Sequence, residues 1–409
     1  MKKGISYGII QSVAVAYLTI WSISPPLEID LIYRLLAVVA TVVWAGVWLI
    51  RENPIVLNKD QLLSIFFLFT VIGVTFIDNG DFNGILKQIA FFMLVVCYIL
   101  NSYYKDHWDE LRWLVPVVLV LFIIYNYKTI QALIDDPTIA RRLVRADESI
   151  YVYLRQGIGG YSLVYPQVCV SSAFLAWTLK AFKHNKIYFI IGLIWLITYV
   201  VLISKASYSI AMFTSIVGAI LLLFYRGKSG VSAFIIAIVI FSTVMLSILY
   251  IEDFRNSLLE TFDGTAVAKK INDLVATSES GEAEGSIGSR MTRYVASLRA
   301  IATYPIIGAL WRDGGGGHSA LLDIVAKYGI WGGWFFIKSV YSVPKYYKKK
   351  YDNHKIRSMS NAVLVSLLMV TLLDSVTYSF YCLILLILPL LFEDVIRWGK
   401  IEDENTLDG

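Results

Sequence analysis

The chain has 409 residues, of which 57% are hydrophobic and 16% charged, and its mean hydropathy is +0.64. That balance excludes an ordinary water-soluble domain, which needs a polar surface to hydrate. The formal net charge is +5, and where the cations fall along the chain is more informative than their sum.

A hydrocarbon layer of about 30 Å needs roughly twenty apolar residues per crossing helix. In chain order the predicted spans are 5–23, 31–50, 60–77, 83–101, 112–134, 159–180, 187–203, 206–225, 231–251, 319–340, 359–375 and 377–392. The expectation is an all-α polytopic membrane protein with about twelve crossings, a single bundle over 1–409. The first span follows Lys2 and Lys3 and has the look of a signal peptide, but no small-residue cleavage site precedes Pro25 and Pro26, so it is kept as a span. No internal repeat is visible. Cys97, Cys169 and Cys382 all lie in apolar segments, where cysteine acts as a small hydrophobe, and they show no metal-ligand spacing.

With the N-terminus inside, the inner connections carry Arg51 and Lys59; Lys105 and Arg112; Lys180, Lys183 and Lys186; Arg226 and Lys228; and Lys345, Lys348, Lys349, Lys350, Lys355 and Arg357. This satisfies the positive-inside rule. The short outer connections carry Glu28 and Asp30, Asp78 and Asp81, and Asp374 instead. Both termini are therefore expected in the cytoplasm.

Two outer segments break the pattern. Residues 135–158, an expected arginine-rich outer loop, hold Arg141, Arg142, Arg145 and Arg155, and the large outer loop 252–318 holds Arg290, Arg293, Arg299 and Arg312. Topology disfavours arginine on the translocated side, so an anionic ligand handled there is the natural reason for it. A guanidinium fork matches phosphate or carboxylate bidentately. The alternative is local pairing with Asp135, Asp136, Asp147 or Glu148, or contact with lipid headgroups.

Within the large loop, residues 276–289 are small, polar and acidic and read as mobile. Ser289 then reads as the N-cap of a helix over 290–304 that ends before Pro305. Helical spacing puts Met291, Val295, Leu298 and Ala302 on one stripe and Arg290, Arg293, Tyr294 and Ser297 on the adjoining one. Such a helix is expected at the membrane interface with its arginines turned toward a cleft; the alternative is that they touch only lipid phosphates. Gly314 to Gly317 follow, permitting close backbone approach, and lead to His318 at the outer start of the tenth span. The glycine run lacks the order of a phosphate-binding P-loop. His107, His184 and His354 fall in inner loops, which makes His318 the candidate functional histidine.

Arg34, Lys87, Lys128, Lys205, Asp323, Lys327 and Asp374 fall in the outer halves or ends of predicted spans. Charge there is costly and faces a cavity or a partner, so together they predict a basic cavity opening outward. Lys327 has the alternative of pairing with Asp323 one turn earlier.

Arg290, a short helix, Pro305 and Gly308, then His318 with Gly329 and Gly332 or Gly333 behind it resemble the O-antigen ligase and O-antigen polymerase superfamily, the bacterial membrane glycosyltransferases of the WaaL and Wzy types. The resemblance covers the span plan, the large outer loop and the region 288–333. RQGIGGYSLVYP, residues 155–166 with Tyr161 inside it, is similar to the arginine-bearing outer loop and following span of Wzy-type polymerases. LISKASYS at 202–209 stands where the family often has Ser-x-Ser-Arg. Tyr208 takes the arginine's place there, with Lys205 as a nearby substitute, and Ser319 follows His318 where asparagine is frequent.

What the resemblance implies is an enzyme of the bacterial cytoplasmic membrane, a repeat-unit polymerase transferring a glycan from undecaprenyl diphosphate to a lipid-linked acceptor on the outer face. His318 is expected to act as general base or to position the acceptor, and Arg290 to share the catalytic site as a diphosphate ligand. Arg155, Arg293, Lys205, Tyr161, Tyr208 and Arg312 are expected to bind substrate. Preorganised arginines can stabilise departing phosphate oxygens without a metal, so neither metal nor cofactor is expected, and inversion is carried over from the family. Expected partners are the lipid bilayer, the undecaprenyl-diphosphate-linked oligosaccharide, a chain-length regulator and a flippase; nucleic acid is not one. Three alternatives remain: an O-antigen ligase transferring polymer to lipid A core, a transporter of the same lipid-linked glycan, and a purely structural scaffold, which would leave the basic outer pocket without purpose. The arginines of 135–158 favour polymerase over ligase, and a transporter calls for broken or charged helices near the midplane.

Overall fold

A computed structural model describes residues 2–51, 58–79, 89–103, 111–136, 139, 143, 148–206, 208–227, 229–263, 266–280, 285–312, 315–374 and 378–407. These residues form helices and no strand: α1 (Lys2–Ile23), α2 (Pro25–Ile29), α3 (Leu31–Arg51), α4 (Lys59–Asn79), α5 (Ile89–Tyr103), α6 (Leu114–Asp135), α7 (Glu148–Arg155), α8 (Tyr161–His184), α9 (Lys186–Lys205), α10 (Ser209–Phe224), α11 (Gly230–Tyr250), α12 (Glu252–Thr261), α13 (Ala266–Ser280), α14 (Gly285–Thr303), α15 (Ala320–Val340), α16 (Ser342–Lys350), α17 (His354–Leu373) and α18 (Tyr378–Leu407). Among the described residues eight helices are long and apolar enough to cross a membrane, namely α3, α4, α6, α8, α9, α11, α15 and α17. The protein is thus an all-α polytopic membrane protein. Shorter apolar helices cover Gly8–Ile23 and Ser209–Phe224.

α8 is the central post. It packs against α9, α10, α17 and α18, and its large polar side chain Gln167 is matched inside the bundle, as a lipid-surrounded fold favours. Gln167 donates to Asn126 at 2.8 Å while accepting from the Asn126 amide and the Trp195 indole at 3.0 Å. Near the other end of α8, Trp177 donates to Asp394 at 2.8 Å, and Arg112 forms an ion pair with the same carboxylate.

The chain after α14 locks onto a break in α15. Gly329 has φ +63° and ψ −157° and Gly308 has φ +81°, values open to glycine but strained for other residues. Ile330, whose N–H would serve Ala326 in an unbroken helix, donates to Pro305 at 3.0 Å. The Ala326 and Lys327 carbonyls accept from Ala309 and Leu310, each at 2.8 Å. A Cβ on Gly308 would sit 2.4 Å from the Gly329 nitrogen, and one on Gly329 would sit 2.2 Å from the Ile306 oxygen. Glycine is needed on both sides of this crossing.

Several expectations change. Residues 276–280 and 285–289, read as mobile, are helical in α13 and α14, so Ser289 lies inside a helix and does not cap it. The reason is tertiary: α13 packs on α11 and α14 and buries Ala268 and Ile271, which overrides weak local propensity. The segment 135–158 includes a helix, α7. Arg141, Arg142, Arg145, Asp147, Asp81, Lys87, Lys105, His107, Lys228 and Gly314 lie outside the described residues.

Candidate functional site

α14 turns its polar stripe inward. Ser297 is buried, Arg290 and Tyr294 are half-buried, and Met291 and Leu298 on the other face are 60% and 51% exposed. That face is set by two attachments. Ser297 donates to Asp323 of α15 at 2.6 Å. One and two turns earlier, Tyr294 and Arg290 both donate to the Leu373 carbonyl at the end of α17, at 2.8 and 3.2 Å. A C-terminal carbonyl has no partner within its own helix, and a cation suits the negative end of the helix dipole, so Arg290 and Tyr294 together cap α17.

Asp374, immediately beyond that helix, faces the same arginine. Its carboxylate lies 3.9 Å from Arg290 with 3% exposure against 24% for the guanidinium. Part-burial alone would loosen the Arg290 proton, but Asp374 first, then Tyr161, Tyr165 and Tyr294, hold it above the ordinary arginine value. Asp374 also accepts a hydrogen bond from Tyr165. Tyr165 in turn belongs to an aromatic group: Tyr161 and Tyr165 are 5.3 Å apart between centroids, Tyr161 and Tyr208 are 4.8 Å, and Tyr165 and Tyr208 stack at 6.3 Å. The start of α8 and the turn before α10 thereby join the end of α17.

His318 enters from the glycine run. A Cβ on Gly316 would lie 2.0 Å from the Arg293 carbonyl oxygen, and the Gly316 N–H donates to Ser297 at 2.9 Å. Only a residue without a side chain lets this strip lie flat on α14. Ser319 then caps α15, accepting from Leu322 at 3.2 Å, while its own N–H donates to Asp323 at 3.0 Å and its hydroxyl to Thr371 at 3.2 Å. Between these anchors His318 is half-buried. Burial chiefly, followed by the charges of Arg293 and Arg290, pushes its pKa below 6.5, with Asp374 and Asp323 opposing. The imidazole is therefore neutral at pH 7, the state in which it can accept a proton.

Of the expected site residues, His318, Arg290, Arg293, Tyr161 and Tyr208 form one electrostatically and aromatically connected group. Arg155 is instead held by Asp30 at 3.0 Å on the surface of α7 and α2, an acid outside those expected as its partners. Arg312 lies over the rings of Tyr304 and Trp311, at 5.2 and 6.0 Å, on the segment that crosses α15. Lys205 is exposed at the last turn of α9. Lys327 pairs with Asp78 at 3.9 Å and not with Asp323, which Ser297 and Ser319 occupy.

Sequence reasoning named Asp323 and Asp374 only as members of a basic cavity and Tyr294 only as part of the Arg290 stripe, and it gave Tyr165 no site role. Tyr165 had a signal, standing one helical turn from Tyr161, and Tyr294 shares the Arg290 stripe. Asp374 carried only the general mark of an acid near a span end. The group combines two cations, one neutral imidazole, a buried acid behind the first cation and three clustered phenols, an arrangement able to fix an anion beside a proton acceptor. No protein-family model matches the sequence, and no curated protein matches it either.

Proposed function

We propose that this chain is a polysaccharide repeat-unit polymerase that moves a glycan from undecaprenyl diphosphate to a lipid-linked acceptor at the outer face of the bacterial cytoplasmic membrane. In this reading it crosses the bilayer about twelve times, has both termini in the cytoplasm, and works beside a flippase and a chain-length regulator. The observation that carries the reading is the meeting of Arg290, Arg293 and His318, supplied by α14 and the glycine-rich strip, with Asp374 behind the first arginine.

The chemistry follows from those groups. The diphosphate of the donor lies against Arg290 and Arg293, which neutralise charge that grows on its oxygens as the sugar departs. The acceptor hydroxyl attacks the anomeric carbon from the opposite face, so a carbon–oxygen bond forms as the sugar–phosphate bond breaks with inversion. The bonding electrons leave with undecaprenyl diphosphate, and the hydroxyl proton passes to His318. Tyr161, partly exposed, offers a ring face to the sugar next to the diphosphate, with the buried Tyr165 and Tyr208 packed against it. Guanidinium groups supply the positive charge that a metal ion would otherwise bring.

The test is product length in membranes where this chain is the sole source of the activity. His318→Ala should abolish chain extension with unchanged protein level, leaving single repeats on their carrier; wild-type product lengths would reject the role of base. Arg290→Lys retains charge but loses the fork and should be severely impaired. Long polymer stranded on undecaprenyl diphosphate in an inactive variant would instead indicate the ligase reaction.

A further inference from the structure

A second concave site lies at the opposite end of the same helices. α8 begins in the tyrosine cluster at Tyr161 and reaches this site at Lys180 and Lys183, about 30 Å along the axis at 1.5 Å per residue. α10 starts beside Tyr208 and arrives at Leu222 and Leu223, while α17 runs the other way, from His354 and Lys355 here to Asp374 there. α8 and α17, with about twenty residues each between the two ends, therefore separate the two sites by roughly the thickness of a hydrocarbon layer.

The cavity measures about 360 Å³. Lys180, Lys183, Arg226, His354 and Lys355 line it, and no carboxylate is among its described lining residues. Its walls are apolar, and two of them, Leu179 and Leu223, are 50% and 52% exposed. Phe182 and Phe224, one turn and one residue away along the same helices, are 63% and 75% exposed. Cations thus gather over an apolar surface that continues outward along two helices.

We propose that this cavity binds the headgroup of an anionic phospholipid, with the phosphate among Lys180, Lys183, Arg226 and Lys355 and the acyl chains running down past Leu179 and Leu223. A small soluble anion would use the cations but gain nothing from the leucines, and a zwitterionic lipid would bring a positive charge in among five basic side chains. Lysines and arginines beside a span attract anionic headgroups additively. The proposal stands independently of the glycan reading, because it uses none of the residues assigned there.

Purified full-length protein, titrated with phosphatidylglycerol and with phosphatidylcholine of the same chain length and followed by native mass spectrometry, tests it. One phosphatidylglycerol should be retained strongly and phosphatidylcholine weakly. Replacing Lys180, Lys183 and Lys355 by glutamine should weaken that binding roughly a hundredfold, from about one lysine's headgroup attraction at each position, whereas three arginines in their place should preserve it. Equal binding of the two lipids, or wild-type affinity in the glutamine variant, would overturn the proposal. So would displacement of phosphatidylglycerol by glycerol phosphate or inorganic phosphate at equal concentration, which would make the site one for free anions. The lipid comparison and the displacement need no variant, so a folding defect in the glutamine protein leaves the decision intact.

Discussion

Arg290 has two employments that one experiment can separate. It caps α17 through Leu373, and it balances Asp374 at 3.9 Å with that carboxylate 3% exposed. At an effective dielectric of about 20 the direct attraction at this distance is about 4 kcal/mol before desolvation. Breaking a buried pair from one side costs about 3 to 5 kcal/mol, because the remaining charge has no water to turn to. Arg290→Gln should therefore destabilise the protein by about 3 kcal/mol, the low end of that range, since Tyr165 still bonds to Asp374. Asp374→Asn should cost less, because the quarter-exposed guanidinium reaches solvent and retains the Leu373 carbonyl. The double variant carries neither charge and should recover most of the loss. Activity should not follow stability: the fork that would meet the diphosphate is missing from single and double variants alike. Thermal unfolding of the detergent-purified proteins gives the first quantity, and product length in membranes gives the second. A double variant that regains both would refute a ligand role for Arg290 and reduce it to a helix cap.

Two further outcomes follow from the geometry. Because Arg293 and Arg290 help to lower the His318 pKa, the neutral imidazole should persist to a pH below 6.5 in the unloaded protein. The acid limb of kcat/KM should lie there and move to higher pH in Arg293→Gln, as removing a cation makes protonation easier; an unmoved limb would detach His318 from the activity. At the helix crossing, Gly329→Ala should cost at least about 2 kcal/mol from the positive φ and the contact with Ile306, read as a fall in unfolding temperature. Gly46→Ala, where nothing lies within 4 Å, serves as the neutral control.

The helices were legible because lipid leaves a backbone few choices: apolar runs of span length can satisfy their N–H and C=O groups only within themselves. The stripe of α14 was legible for the same kind of reason, since Arg290, Tyr294 and Ser297 share a face by helical period alone. What local pattern cannot hold is the identity of distant partners. Lys327 had an acid one turn away, yet Asp78 from α4 is its partner and Asp323 is taken by Ser297. Arg155 had Glu148 on its own helix and meets Asp30. Arg290 and Leu373 are 83 residues apart, and nothing at either position announces the other. Helix formation over 276–280 and 285–289 likewise depends on the surface against which α13 and α14 pack, while composition there signals only polarity.

The same contacts explain why two arginines on one helix should behave differently. Arg290 and Ser297 stand seven residues apart and tie one face of α14 to α17 and α15, about 10 Å along the helix at 1.5 Å per residue. That fixes the helix in rotation as well as position, so the Arg290 fork is oriented before any ligand arrives. Preorganised charge of this kind is most effective where negative charge develops during reaction. Arg293, one turn on, is exposed, and its backbone carbonyl, against Gly316, is the part of it that the fold restrains. Its side chain can follow an anion inward and release it again. In the proposed polymerase reaction, which would hold a diphosphate during transfer and then let the spent carrier go, one fixed and one adaptable cation would divide those tasks. The fixed cation should therefore govern kcat, and the adaptable one the rates at which donor enters and carrier leaves.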